Sequence, residues 1–391
     1  MNDYIIPKEK CTGCKMCSQV CNHNAIKFVE NREGFWYPSI ELSKCIQCNL
    51  CKIKCPINRE LKKDREFGIA AYGAWTLNEK RRINSTSGGI FTELALKWVD
   101  KQGFFVGAAY GTNLSVKHKI VEKREFLNQL QQSKYVQSDT EGIYKKVKKL
   151  LDENSKVVFS GTPCQVAALK SFLGKDYKNL LTIDFICCGV PSPKVYKEYI
   201  NFLEKENHSQ ITKIWFKNKT FGWHSLSTKI LFRNNKTYLR RSNVDPYMIA
   251  YIESGLDLRT SCYQCDFKQN QHYSDITLGD FWGVENIYPQ YSDERGVSAV
   301  IINTEKGHEL FKAIKSKVFY FETQIDIIAK GNFTLNQSMK DNPKRDAFFS
   351  ELGTIPFDKL IFKYSSCNKK ENMKRTIKNF IKQLLKRKIY N

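Results

Sequence analysis

Two hydrophobic periods alternate along most of this chain. Apolar runs at 69–75 (IAAYGAW) and 104–111 (FFVGAAYG) have the length and composition of buried strands, and the pattern between them predicts a helix from about Gly88. From about 210 to 242 the pattern turns strand-like in three runs, ITKIWFK, STKILFR and KTYLRR, with Asn234-Asn235 marking a hairpin turn. The segment DITLGDFWG predicts a strand, Ile276 to Leu278, entering a Gly279-Asp280 turn. These signals predict an α+β protein whose body, residues 69–350, is a mixed-sheet α/β domain. A polar stretch from Asn58 to Glu66 sets the body apart from an N-terminal region, residues 1–62. Within 357–391, apolar residues from Met373 to Ile389 recur at helical spacing among lysines and arginines, which predicts a basic amphipathic helix.

Composition excludes disorder as a description of most of the chain, since 41% hydrophobic and 13% aromatic positions over 391 residues can bury a substantial core. The first ten residues, MNDYIIPKEK, carry no apolar leader core, and nowhere do eighteen apolar residues run together, so the expected location is cytoplasmic. Of the net charge of +23, residues 368–391 supply +8, nine Lys or Arg against Glu371. Such a helix either lies in the headgroup region of an anionic membrane, at its inner face, or packs on its own body with a solvated basic face. No stacking-aromatic motif or recognition helix accompanies the charge, so nucleic acid as a partner has only the charge behind it.

Fourteen cysteines in a reducing compartment read as metal ligands before they read as disulfides. Cys11, Cys14, Cys17 and Cys21 form C-x2-C-x2-C-x3-C, and Cys45, Cys48, Cys51 and Cys55 repeat it, the second copy closing with Pro56. Two-residue gaps let three thiolates converge on one cubane, and the fourth cysteine of such a run crosses to the other cluster. The expected ligand sets are Cys11, Cys14, Cys17 and Cys55 for one 4Fe-4S cluster, and Cys45, Cys48, Cys51 and Cys21 for the other. Structural zinc, the competing reading, uses cysteine pairs separated by longer spacers. Residues 1–60 resemble a bacterial-type ferredoxin with two 4Fe-4S clusters, although Asn22 stands where such motifs carry proline.

Four further cysteines lie far apart, each at an expected strand end or turn: Cys164 in SGTPCQ, Cys187 in DFICCG, and Cys262 and Cys265 in SCYQC. They supply four thiolates, enough for one more cluster, though isolated cysteines often merely fill a core. Ser85, Thr86, Ser87, Gly88 and Gly89 open the expected helix. On its own this stretch reads more readily as a plain N-cap with a flexible turn, while a pyrophosphate would also fit there. No GxGxxG occurs in it, so a Rossmann-type flavin site is not the expectation. For proton supply, His224 in FGWHS is the candidate, with Tyr135 and Lys134 as rivals, on position alone and against the plainer reading of a surface or core side chain.

The ordered set STSGGIFTELA (85–95), SKYVQS (133–138), GTPCQVAALK (161–170), ICCGVPSP (186–193), SCYQCDFK (261–268) and DITLGDFWG (275–283) resembles the coenzyme F420 hydrogenase/dehydrogenase beta-subunit family over most of residues 69–320. The resemblance implies that Cys164, Cys187, Cys262 and Cys265 hold a 4Fe-4S cluster beside FAD, making three clusters in all. It implies that Ser85 to Gly89 form the FAD loop, that Lys134, Tyr135, Gln137 and Ser138 belong to a second contact region, and that Asp280 borders the cluster or the flavin. Cys188 is expected to sit behind the ligands or in the core.

The expected protein is an FAD-dependent iron-sulfur oxidoreductase. An electron donor such as ferredoxin or reduced F420 charges the N-terminal clusters, the third cluster relays to FAD, and a small-molecule substrate reacts, with polysaccharide biosynthesis one setting the resemblance suggests. The alternatives are an F420-oxidising or F420-reducing subunit of a hydrogenase or dehydrogenase, and a nucleic-acid-binding iron-sulfur protein. The fused ferredoxin supplies what a hydrogenase partner would otherwise bring, which favours a free-standing enzyme.

Overall fold

The computed structural model describes residues 5–58, 68–99, 102–268 and 272–365. The helix expected from Met373 lies outside them, as does most of the polar stretch 58–66. Among the described residues, no helix is long and apolar enough to cross a membrane.

In the N-terminal region β1 (Ile26–Glu30) and β2 (Trp36–Ile40) form an antiparallel hairpin, with Ile26 opposite Ile40 and Glu30 opposite Trp36. Short helices, Met16–Val20 and Leu50–Ile53, carry the third cysteine of each repeat. The body strands are β3 (Ala70–Thr76), β4 (Phe104–Tyr110), β5 (Val116–Val121), β6 (Val157–Ser160), β7 (Leu180–Phe185), β8 (Ile211–Asn218), β9 (Ser227–Phe232), β10 (Thr237–Arg241), β11 (Ile276–Asp280), β12 (Ser298–Ile302) and β13 (Val318–Thr323). Eight of them make one sheet in the order β13-β3-β12-β11-β7-β6-β4-β5. Its centre, β11-β7-β6-β4, is parallel, and antiparallel neighbours extend both sides, so the sheet is mixed.

The central strands are near-continuous apolar runs because both faces are covered. Val157 and Phe159 pack among residues of the helices Ile143–Asp152 and Pro163–Leu173, while Val158 between them packs with the helices Ile90–Val99 and Glu305–Ile314. The separate sheet β10-β9-β8 contains the expected hairpin, with Asn235 left-handed at its tip (φ 64°).

The expected turn at Gly279-Asp280 is instead strand. Gly279 pairs with Ala299 and Asp280 with Ser298, and the space a side chain at Gly279 would need is filled by Ile186. The glycine serves close packing within the sheet, and the chain turns only at Gly283, where φ is +81°.

The N-terminal region does not stand apart from the body. Met16, Ile26, Phe35, Tyr37 and Cys55 belong to the same buried cluster as Val166, Val195 and Tyr199. A buried bidentate ion pair between Arg345 and Glu33, at 2.7 and 2.8 Å, fastens the two from the far side.

Candidate functional site

The cysteine repeat extends to the backbone. Gly13 and Lys15 of the first copy are left-handed, with φ of 66° and 56°, and so are Gln47 and Asn49 of the second, at 57° and 58°. Alternating left-handed residues turn successive N–H groups toward one side, the arrangement that cradles anionic groups. Burial pushes the Cys14 thiol up to about 12, with repulsion from Cys55 and Cys11 adding to it. Cys17 is raised by burial and then by Cys14, Cys11 and Cys55. Cys51 is raised by burial, with Cys45 and Cys48 contributing. The fold thus gathers Cys11, Cys14, Cys17 and Cys55 in one nest and Cys45, Cys48 and Cys51 in another, while Cys21 caps the helix Met16–Val20. Among the described residues no three His, Cys, Asp or Glu side chains close on a single-ion site. A cubane takes its thiolates on separate irons, which spreads them wider.

In open α/β sheets, ligands bind beyond the carboxyl ends of the parallel strands. Cys187 follows the end of β7, and Cys164 stands in the first turn of the helix after β6, whose start is fixed by a capping box between Thr162 and Gln165. Cys262 lies in the short helix Thr260–Tyr263, with Cys265 just beyond. All four line one cavity, and Thr12, Gly13 and Cys14 of the N-terminal region line it too. Burial raises Cys187 to about 12 and Cys262 to about 11. Cys164 is raised by burial and then by repulsion from Cys265, Cys187 and Cys262.

The donors around these sulfurs suit thiolates. The Gly189 N–H reaches Cys187 Sγ at 3.3 Å, the Val190 N–H reaches Cys262 Sγ at 3.4 Å, and the Thr162 hydroxyl lies 3.0 Å from Cys164 Sγ. Lys268 donates to the Cys187 carbonyl and pulls both Cys187 and Cys262 downward. Four cysteines whose thiolates would repel one another, with such donors, fit a cationic iron-sulfur core. Cys188 is not among the lining residues; its sulfur lies 3.5 Å from Thr334 Oγ1.

The stretch 85–89 is largely occupied with packing. The Ser85 and Ser87 hydroxyls donate to the carbonyls of Arg81 and Val297, each at 2.8 Å, and the Gly88 N–H donates to Ser298 Oγ at 2.9 Å. A Cβ on Gly88 would stand 2.4 Å from the Ala74 carbonyl oxygen, so the glycine lets the helix start close against β3. Thr86 is different, because its hydroxyl oxygen accepts from the Ser133 N–H at 3.2 Å and joins the two sequence stretches expected to meet a flavin.

Beside this junction lie two half-buried lysines. Lys219 donates to the carbonyls of Arg82, Ser87 and Arg295 at 2.9, 2.7 and 2.6 Å, and burial lowers it to about 7. Burial would lower Lys217 as well, but Asp280, its ion-pair partner, and Tyr135 outweigh that and hold it charged. Asp280 also accepts from the Trp223 indole N–H at 2.8 Å, and Trp223 stacks on Trp282 with ring centres 4.8 Å apart. Lys217 faces the rings of Tyr135 and Trp282 at 5.8 and 5.5 Å.

The other sequence candidates scatter. Lys134, lowered to about 7 by burial, donates to the carbonyls of Gln131 and Gln132. Gln137 turns to the N-terminal region, donating to the Thr12 carbonyl at 3.2 Å, and Ser138 Oγ meets His118 Nδ1 at 2.6 Å. His224 is exposed, with Nε2 3.1 Å from Ser292 Oγ and Nδ1 3.9 Å from Glu285. Lys217, Lys219, Lys268 and Arg259 were not singled out from sequence. A cue existed for the first two, since Lys217 and Lys219 sit two apart at the end of a strand-like run and so share a face.

Residues 154–326 match the family model for the coenzyme F420 hydrogenase/dehydrogenase beta subunit, C terminus, and residues 10–58 match that for a 4Fe-4S dicluster domain. An uncharacterized ferredoxin of Methanocaldococcus jannaschii is 31% identical over 61 residues, which are 16% of this chain and 78% of that protein. A chain in the xenon-derivatized F420-reducing NiFe hydrogenase complex from Methanosarcina barkeri aligns over 81% of this chain and 95% of its own, with 16% identity and a TM-score of 0.44.

Proposed function

Because residues 154–326 match the coenzyme F420 hydrogenase/dehydrogenase beta-subunit family and residues 10–58 match a 4Fe-4S dicluster domain, we propose that this iron-sulfur oxidoreductase passes single electrons through three 4Fe-4S clusters to FAD. The ligands proposed are Cys45, Cys48, Cys51 and Cys21 for the outer cluster, Cys11, Cys14, Cys17 and Cys55 for the inner one, and Cys164, Cys187, Cys262 and Cys265 for the third. The observation that carries this reading is the cavity shared by the four body cysteines with Thr12, Gly13 and Cys14, since it puts the inner set next to the third. Cys48 is exposed, and Leu42, Ile46 and Ile53 near it are exposed apolar side chains, which suits electron entry from a protein donor such as a ferredoxin.

FAD, when bound, converts one-electron steps into two-electron chemistry. The residues proposed for it surround the Thr86–Ser133 junction. Lys217 supplies positive charge, Lys219 holds the Ser87 carbonyl in place, Asp280 orients Lys217, and Tyr135 stands between this region and Cys188, beside the proposed ligand Cys187. Tyr135 is the better proton donor of the three sequence candidates, because burial keeps its hydroxyl protonated with Lys217 beside it, whereas Lys134 is committed to two carbonyls. The substrate is proposed to be a small molecule, either from polysaccharide biosynthesis or coenzyme F420 itself. Segments 1–62, 69–350 and 357–391 are the units proposed for cluster binding, flavin chemistry and basic-surface contact.

Anaerobic reconstitution tests the reading. The expected protein holds ~12 iron from three four-iron clusters and one releasable FAD. A stable count near ~8 iron would remove the third cluster, and a chain that retains no flavin would remove FAD. Bleaching of reduced F420 with an artificial acceptor separates the two substrate classes.

A further inference from the structure

Arg259 is fully buried, and its guanidinium is divided between the N-terminal region and the body. Nε donates to the Cys11 carbonyl at 2.6 Å, Nη2 to the Trp36 carbonyl at 2.9 Å, and Nη1 to Gln137 Oε1 at 3.2 Å. Gln137 passes the contact on to the Thr12 carbonyl. The guanidinium lies over the Tyr37 ring, 4.3 Å from its centre, and Nη1 comes within 2.8 Å of where a Cβ on Gly13 would stand. On its other side the Arg259 carbonyl accepts from the Cys262 N–H at 2.8 Å.

These hydrogen-bond partners are all neutral, and among the described residues no Asp or Glu forms an ion pair with Arg259. A buried charge without a counter-charge is costly. The three oxygens and the Tyr37 face offset part of that cost, and two cysteine sets flank the group, Cys11 on one side and Cys262 on the other. A 4Fe-4S core carries less positive charge than its four thiolates carry negative, so each loaded cluster is an anion, and a more negative one once reduced.

We propose that Arg259 is the counter-cation shared by the inner N-terminal cluster (Cys11, Cys14, Cys17, Cys55) and the body cluster (Cys164, Cys187, Cys262, Cys265), raising the reduction potentials of both. This rests on the cluster assignment above. A fixed buried cation favours each added electron, and the low local dielectric strengthens the effect. Its three-point grip on Cys11, Trp36 and Gln137 also holds the two clusters in a constant relation. Arg259 is a positioning and tuning residue that touches no substrate. The outer cluster shares none of its partners and serves as an internal control.

The test uses the anaerobically reconstituted full chain, with iron analysis and redox titration followed by EPR. In Arg259→Gln the two inner potentials should both move negative while the outer one stays, and in Arg259→Lys all three should stay near wild type. Wild-type potentials in a fully loaded Arg259→Gln, or an equal shift of all three clusters, would overturn the proposal. If the Gln variant loses iron, Arg259→Lys decides: full iron with unshifted potentials supports the role, and lowered inner potentials or lost iron there overturn it. A wild-type chain that never exceeds ~8 iron would instead sink the underlying cluster assignment, a result distinct from either.

Discussion

The Thr140 hydroxyl donates to the Cys14 carbonyl at 2.7 Å, fastening the turn that carries an inner cysteine directly to the body. Gln19 extends the join, donating to the Thr140 carbonyl at 3.0 Å and accepting from the Tyr144 N–H at 2.8 Å. The cluster-bearing region is therefore held by its own backbone groups as well as by the core it shares with the body. A fixed distance between Cys14 and the body cysteines that line the same cavity follows from that, which a region hung on a flexible linker would not provide.

The Glu33–Arg345 pair should show this coupling in stability. Burial alone would raise the Glu33 carboxyl, but the Arg345 fork overrides it and holds the group below its ordinary value. Removing one partner of a buried pair costs about 3–5 kcal/mol, so Glu33→Gln should lower the unfolding free energy at neutral pH by about 3 kcal/mol. A folded-state value below the unfolded one means the contribution is complete above ~4.3 and lost as pH falls further. Urea unfolding should find a large difference between variant and wild type at pH 7 that closes toward pH 3; a difference independent of pH would contradict the ion-pair account.

Cys262 and Cys188 should behave oppositely. Cys262→Ser removes one of the four thiols lining the cavity and should lower iron from ~12 to ~8 by releasing one four-iron cluster. Cys188→Ser should leave iron unchanged, because its sulfur faces Thr334 and not the cavity. Equal iron loss in both variants would mean that the ligands have been misassigned.

Lys219 ties three carbonyls, those of Arg82, Ser87 and Arg295, into one knot beneath the stretch 85–89. Lys219→Met takes the donor from the Ser87 carbonyl, while Arg82 keeps its bond from the Ser85 N–H, and loosens the stretch at a cost of about 1–3 kcal/mol for the group left unpaired. Flavin retained after gel filtration should drop severalfold with iron unaffected. Wild-type flavin content in this variant would move the flavin away from Ser87 and Thr86.

How much of this was legible beforehand depended on how local each signal is. The cysteine repeat could be read because its spacing is set within ten residues, and the Asn234-Asn235 turn because a tight hairpin needs a residue that tolerates the left-handed region. The Gly279-Asp280 turn misled, because a glycine that packs against Ile186 inside a sheet looks identical to one that turns the chain. Arg259 and Arg345 gave no signal at all. Their partners Cys11 and Glu33 lie 248 and 312 residues away, and no periodicity spans such a gap. The grouping of Cys164 with Cys187, Cys262 and Cys265 was half legible, as thiols expected at strand ends, and the parallel order of β6 and β7 explains why the first two meet.

Asp257 makes the sharpest prediction about pH. Its carboxylate is buried beside Tyr247 and Tyr263, and neither oxygen has a hydrogen-bond partner among the described residues. Burial raises it to about 8, only partly opposed by its own backbone and by Arg345. The folded chain therefore keeps a proton that the unfolded chain releases near ~4, and stability should fall as pH climbs between those values, at up to about 1.4 kcal/mol per pH unit. Asp257→Asn keeps the shape and removes the titration. Its unfolding free energy should match wild type near pH 4 and exceed it by several kcal/mol at pH 8, as measured by urea unfolding of the loaded chain. If wild type and variant keep a constant separation from pH 4 to pH 8, Asp257 is ionised in the folded protein and must have a partner that offsets its burial.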